Sequence, residues 1–273
     1  MTYKLLVIDI DGTLLNEQNI VSEADKKAIS EVRKRGIPVS LCTGRVNEAS
    51  RPVLAELKLD GYHIFADGAV VSSADNTQHI YLKPIEKKVA LELADYVHGK
   101  KVRTIDFFTP DHCYIEPDAE PWMQDIRRNY FGLELFTTNF TALCRKEKII
   151  KATLGVSSEK ERAVAGELMT FFQDRLRFSY TKNVTFPELD FINIINPAVS
   201  KAEAIRFLAS YLGLSLDEVM AIGDGKNDIP LLTEVGLAVA MGHAPDEVKK
   251  VAHHVTLDVA HSGVAVAVRK FLL

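Results

Sequence analysis

The chain is poor in the residues that would commit it to an extracellular, membrane or nucleic-acid setting. Its 273 residues include only three cysteines, Cys42, Cys113 and Cys144, odd in number and far apart. That excludes a disulfide framework or a cysteine-held zinc, and it suits a reducing compartment. The eight histidines show no ligand spacing. No apolar run approaches the ~20 residues of a membrane span. The start, MTYKLLVIDIDG, lacks a signal-peptide layout, because acids stand where a small-residue cleavage site belongs. Net charge is −4, so no basic field exists to hold nucleic acid. The expectations are a cytoplasmic protein with no nucleic acid, no membrane and no obligate protein partner. What is present, 47% hydrophobic and 26% charged residues, is ordinary for a globular chain with one large domain or two smaller ones.

Residues 1–70 alternate strand, helix, strand, helix, strand. Tyr3–Ile10 reads as the first strand. Ser22 caps a helix with acids early (Glu23, Asp25) and bases late (Arg33, Lys34, Arg35), stopped by Gly36. Ile37–Cys42 is a strand, Asn47–Leu57 a helix and Tyr62–Ala66 a third short strand. This βαβαβ pattern predicts a parallel sheet with right-handed crossovers. The pattern resumes after residue 195: Ser200-Lys201-Ala202-Glu203 opens a helix as a capping box, and Val219–Ile222 is a strand. The block between, 83–195, has the size of a domain and an α+β order of elements. Most of its aromatics, such as Phe107, Phe108, Trp122, Phe171 and Phe172, read as its core and not as a ligand platform. The expected architecture is α/β: a Rossmann-like parallel sheet with helices on both faces, formed by 1–82 and 196–273, plus an inserted α+β cap over 83–195.

The chemistry gathers at strand ends. Leu5-Leu6-Val7-Ile8 empties into Asp9 and Asp11, Val39–Cys42 into Thr43-Gly44-Arg45, and Val219–Ile222 into Gly223-Asp224-Gly225-Lys226-Asn227-Asp228. On the first stretch alone, a solvated Asp-Gly turn is the competing reading. In an open parallel sheet, however, ligands sit at the carboxyl ends of strands where strand order reverses. If those three strands are neighbours, Asp9, Asp11, Thr43, Asp224 and Asp228 converge. Four carboxylates in one crevice call for a cation, and an all-oxygen donor set favours Mg²⁺. Gly12, Gly44, Gly223 and Gly225 allow close backbone approach. Lys201, in the first turn of its helix, stands against the helix dipole, and a Lys beside a helix N-terminus grips phosphate; the alternative is a solvent-facing lysine. Such a site suits phosphoryl transfer, with one carboxylate as nucleophile and another as general acid and base.

DIDGTLL, CTGR, SKAEAI and GDGKND, in this order, resemble the four motifs of the haloacid-dehalogenase-like phosphatase superfamily, and the insertion is similar to that of its Cof-type subfamily. The resemblance covers essentially the whole chain. It implies a phosphatase acting on a small phosphorylated substrate, with Mg²⁺ as cofactor. Asp9 would be the nucleophile and Asp11 the general acid and base. Asp9, the Asp11 backbone carbonyl and Asp224 would hold Mg²⁺, with Asp228 orienting the metal shell or Lys201. Thr43 and Lys201 would bind the phosphoryl group with backbone help from Gly12 and Gly44; Asn227 would reach phosphate or substrate, and Arg45 would support them. Two positions depart from the family pattern: Asp67-Gly68-Ala69 stands where Asn-Gly-Ala is frequent, and Gly242-His243-Ala244 where Gly-Asn-Ala is frequent. Thr109–His112 and Lys182–Phe186 are the candidate loops for reading the leaving group. A phosphohexomutase and a non-catalytic sugar-phosphate sensor are the competing readings; GDGKND resembles the phosphatase form more, and a pure binder has no use for Asp11.

Overall fold

A computed structural model describes residues 3–182, 186 and 188–273. It divides into two compact units. One takes the chain up to Val46, Ser50–Tyr81 and Ser200–Leu273; the other takes Asn47–Ala49 and Leu82–Val199. The chain opens with β1 (Leu5–Ile8), α1 (Glu23–Lys34), β2 (Val39–Leu41), α2 (Asn47–Glu56), β3 (Tyr62–Phe65), β4 (Val70–Ser73) and β5 (His79–Leu82). Next come α3 (Lys87–Gly99), β6 (Ile105–Phe108), β7 (Cys113–Ile115), α4 (Pro121–Asp125), β8 (Leu135–Thr137), α5 (Phe140–Lys146), β9 (Lys151–Val156), α6 (Glu159–Phe172), β10 (Arg177–Lys182) and β11 (Asp190–Ile195). The last run is α7 (Lys201–Tyr211), β12 (Val219–Gly223), α8 (Ile229–Leu232), β13 (Leu237–Ala240), α9 (Asp246–Val251), β14 (His254–Val255) and α10 (Gly263–Phe271). No described helix is long and apolar enough to cross a membrane.

The first unit is an α/β fold on a five-stranded parallel sheet, ordered β14-β13-β12-β1-β2. All four residues of β1 are buried, as a strand covered on both faces requires. Leu5 and Val7 pack with Ile205 and Leu208 of α7, Leu231 of α8 and Val248 of α9. Alternation sends Leu6 and Ile8 to the opposite face, and α1 and α10 pack together, joined by a 2.6 Å bond from the Ala265 N–H to Asp25 Oδ1. The order reverses beside β1, with β2 on one side and β12 on the other, so the switch point lies where the motifs end. Caps follow the sequence signals. Ser22 Oγ accepts the Asp25 N–H at 3.1 Å and Ser200 Oγ the Glu203 N–H at 3.0 Å.

Two expectations need adjustment. The first strand ends at Ile8, not Ile10, because the chain turns into the site there. The third strand does not extend the parallel sheet. Among the described residues, only one parallel bridge, Cys42 to Ile64, joins it to the residue that follows β2, and it pairs antiparallel with β4 in a separate sheet ordered β3-β4-β5. Its His63 is buried, and its Nδ1 accepts the Leu41 N–H at 3.0 Å, which requires a neutral ring. Burial pushes this imidazole down to about 4. The unfolded chain then binds the extra proton first, so stability present above pH 6.5 is lost as pH falls towards 4, by roughly 3 kcal/mol. Equilibrium unfolding at pH 4.5 and 7 should show this acid loss shrinking in His63→Asn, which keeps an acceptor for Leu41; an unchanged acid limb would rule His63 out as its source.

The second unit is α+β, with a six-stranded sheet ordered β10-β11-β9-β6-β7-β8, antiparallel except between β7 and β8. Its core joins Val89 and Leu93 of α3, Phe140 of α5, and Leu168 and Phe172 of α6 to Phe107, Leu154 and Ile194 of the sheet. Phe107 stacks on Phe140, centroids 4.1 Å apart. Phe108 is buried too, and Trp122 packs on a smaller cluster of Met123, Leu189 and Phe191. Phe171 is a correction. It is 56% exposed, because α6 buries Ala165, Leu168 and Phe172 and its adjacent phenylalanine faces off that stripe. Thr109–His112 forms the turn between β6 and β7, with the Thr109 N–H donating to His112 O at 3.0 Å. Most of the other candidate loop, Lys182–Phe186, lies outside the described residues.

Candidate active site

The site is built from five chain turns of the first unit. Asp9 leaves the end of β1, its N–H donating to Ile222 O of β12 at 3.0 Å, and its carboxylate is buried. Lys201 opens α7 and is only 1% exposed, which removes the solvent-facing alternative. Its ammonium donates to Asp9 Oδ1 at 2.6 Å, Asp228 Oδ1 at 2.6 Å and the Cys42 carbonyl at 2.9 Å. Three acceptors satisfy its three protons. Asp228 is equally committed: its Oδ2 accepts the N–H groups of Asp224 and Gly225 at 3.0 and 2.9 Å. Asp224 Oδ1 accepts from the Thr13 hydroxyl at 2.7 Å.

The carboxylates of Asp9, Asp224 and Asp228 each offer an oxygen within 4.8 Å of the others. Their crowding sets the electrostatics. Burial, then Asp228, pushes the Asp9 carboxyl well above the ordinary range; Lys201 opposes this, and Asp224 and Asp11 add to it. Burial also raises Asp224, with the Thr13 hydrogen bond pulling the other way. At Lys201 burial disfavours the charge, but Asp228 and Asp9 outweigh it and hold the ammonium well above its usual range. The Cys42 thiol, buried beside this group, is pushed up by desolvation and is no nucleophile.

Asp11 behaves differently. Its side chain is 57% exposed and lies outside the gathered carboxylates. Arg45 holds it with its fork, Nε at 2.9 Å from Oδ2 and Nη2 at 2.5 Å from Oδ1. Thr43 is fully buried, and its hydroxyl accepts the Arg45 N–H at 3.1 Å. Gly12, at φ +82°, leaves room for Asp224: a Cβ there would stand 2.5 Å from Asp224 Oδ2. Its own N–H donates to Leu15 O at 3.1 Å. Gly44 does the same for Asp67, whose Oδ1 lies 3.0 Å from where a Cβ would begin.

Two contacts were not read from the sequence. One is the Arg45–Asp11 pair. The other is Asp67, whose Oδ1 accepts from Asn227 Nδ2 at 3.1 Å. Asp67 follows Ala66 in the left-handed region, with φ of 57° and 51°, and Gly68 continues at 101°. Each such non-glycine residue costs on the order of 1–3 kcal/mol. The available signal was an Asp-Gly pair directly after a strand. His243 Nε2 stands 3.7 Å from Asp224 Oδ2, at the rim of the same cluster.

Residues 6–268 match the sequence model of the haloacid dehalogenase-like hydrolases. A Bacillus subtilis protein, 5-amino-6-(5-phospho-D-ribitylamino)uracil phosphatase YcsE, is 28% identical over 270 residues, covering 99% of this chain and 96% of its own. Phosphatase YwpJ of the same organism is 27% identical, covering 96% of this chain and 97% of its own. The crystal structure of TM0651 from Thermotoga maritima superposes with a TM-score of 0.84 at 28% identity, covering 98% of this chain and 97% of that one.

Proposed function

Because the chain belongs to the haloacid dehalogenase-like hydrolases and is a phosphoric monoester hydrolase, we propose that it is a Mg²⁺-dependent phosphatase of a small phosphorylated metabolite, a sugar phosphate or similar monoester, working through an aspartyl-phosphate on Asp9. The observation that carries this reading is Lys201, buried between Asp9 and Asp228 beside a third carboxylate. A pair of ions needs no such arrangement for stability, since burying charge is costly. It does orient a nucleophile and supply a cation for phosphoryl oxygens.

The donor set fits a hard divalent cation, being all oxygen and electrostatically overcrowded with carboxylates. Both Asp228 oxygens are engaged by protein donors, so Asp9 and Asp224 are the carboxylates to hold Mg²⁺, with the Asp11 backbone carbonyl. When bound, Mg²⁺ neutralises phosphoryl charge. The chain's own residues do the rest. The Asp9 carboxylate attacks phosphorus as the bond to the leaving oxygen breaks, and Asp11 delivers a proton to that oxygen. Asp11 then takes a proton from water, whose oxygen attacks the aspartyl-phosphate, freeing Asp9 and inorganic phosphate. For this the Arg45 fork must release Asp11, and phosphoryl oxygens are the natural competing acceptor.

The second unit is assigned the selection of the leaving group, with Thr109–His112 as the candidate turn. The phosphoribityl group in the relative's name supports a polyol or sugar monophosphate as substrate class. Hydrolysis of p-nitrophenyl phosphate tests the chemistry. Turnover should need millimolar Mg²⁺, vanish in EDTA and return on re-addition. Equal rates with and without chelator would sink the metal-dependent reading.

A further inference from the structure

We infer that Asp67 is a positioning residue: its carboxylate fixes the Asn227 amide so that this side chain presents a donor to the phosphoryl oxygens, and it does so by tying the turn after β2 to the turn after β12. The inference rests on the phosphatase reading above and adds a residue to it.

The geometry is specific. Asp67 touches both turns. Its N–H donates to Thr43 O at 3.0 Å, and the preceding Ala66 N–H donates to Arg45 O at 2.9 Å. Its side chain passes the bare Cα of Gly44 and reaches Asn227 on the other turn. The chain adopts two consecutive left-handed non-glycine residues to place it there, and the carboxylate ends up buried. Unfavourable backbone held at a site is a mark of function when side-chain contacts over-determine it, as they do here.

The chemistry favours aspartate. An ionised carboxylate only accepts hydrogen bonds, so the Asn227 amide must turn its nitrogen towards Asp67. Asn227 Oδ1 then lies over Gly225, 2.5 Å from where a side chain there would begin. One Nδ2 proton is spent on Asp67 and the other is available to a ligand. Asparagine at position 67, the residue the family resemblance leads one to expect, would permit either orientation of the amide pair. Aspartate permits one, at the cost of a negative charge near an anion site.

That cost provides a test by sign. If Asp67 acted only through its charge, deleting it would tighten phosphate binding. If it positions Asn227, deleting it weakens binding. Asp67→Gly suits the left-handed backbone, so the variant should fold. Inorganic phosphate binding with Mg²⁺ present, measured by calorimetry, and KM and kcat for p-nitrophenyl phosphate should be read for wild type, Asp67→Gly, Asp67→Asn, Asn227→Ala and the Asp67→Gly/Asn227→Ala double variant. Asp67→Gly should weaken phosphate and raise KM roughly ten-fold, with kcat moved far less. Asp67→Asn, which keeps an acceptor but permits either orientation of the amide pair, should bind phosphate more weakly than wild type and more tightly than Asp67→Gly; binding as tight as wild type would overturn the argument for aspartate. The double variant should bind no more weakly than Asn227→Ala alone. Tighter or unmoved binding in Asp67→Gly, or additive losses in the double variant, would overturn the inference while leaving wild-type turnover intact. If wild type itself neither turns over nor binds phosphate, the phosphatase reading fails and the inference falls with it.

Discussion

Replacing Lys201 by methionine should lower the stability of the first unit by about 3–5 kcal/mol, the scale seen when one partner of a buried ion pair is removed. Methionine keeps most of the volume, so the loss is electrostatic. Asp9 and Asp228 would face each other buried, without the ammonium that bonds both at 2.6 Å. Lys201 is held above its ordinary range, so its contribution is complete below about pH 10.5 and is lost only as pH rises through the folded-state value. Denaturant unfolding at neutral pH measures the loss. Added Mg²⁺ should recover part of it, because a cation bound only by the folded site stabilises that state. A Lys201→Met protein as stable as wild type would show that the buried charge is neutral for folding.

Asp9→Asn should separate chemistry from folding. Turnover should fall by at least about 10⁴-fold, as expected for loss of a nucleophile. Stability should change little: the amide oxygen still accepts from Lys201, and the change relieves the crowding that pushes Asp9 up. Paired measurements of p-nitrophenyl phosphate hydrolysis and thermal unfolding decide it. Activity within ten-fold of wild type would remove Asp9 from the nucleophile role. Loss of folding in both Asp9→Asn and Lys201→Met would mark the triad as a structural device.

The strand ends were legible because each is an apolar run emptying into polar turn residues, and the parallel ladder brings Leu5 beside Val219 and Val7 beside Ser40. Lys201 was legible because it breaks a local rule of helix charge at an otherwise well-capped terminus. Asp11 was harder. Alternation along a strand would aim it with Asp9, but β1 stops at Ile8, and the turn sends one carboxylate into the cluster and the other to Arg45. β4, β5 and β8 were missed because runs of three or four residues carry too little periodicity to be distinguished from loop. The Asp67 contact depends on left-handed backbone at Ala66, which no side-chain preference announces.

The discontinuity of the first unit shapes how the protein is born. β1 leaves the ribosome 214 residues ahead of its partner β12, from Leu5 to Val219. At about 5–20 residues per second, β1 waits roughly 10–40 seconds with one edge unpaired. By the end of that interval the second unit, Leu82–Val199 nearly in full, is complete and able to collapse on its own core. An apolar LLVI strand left open this long is a template for aggregation. Nascent chains stalled before Val219 should therefore engage chaperones through residues 3–81, and release should coincide with synthesis of the segment that carries Lys201, Asp224 and Asp228.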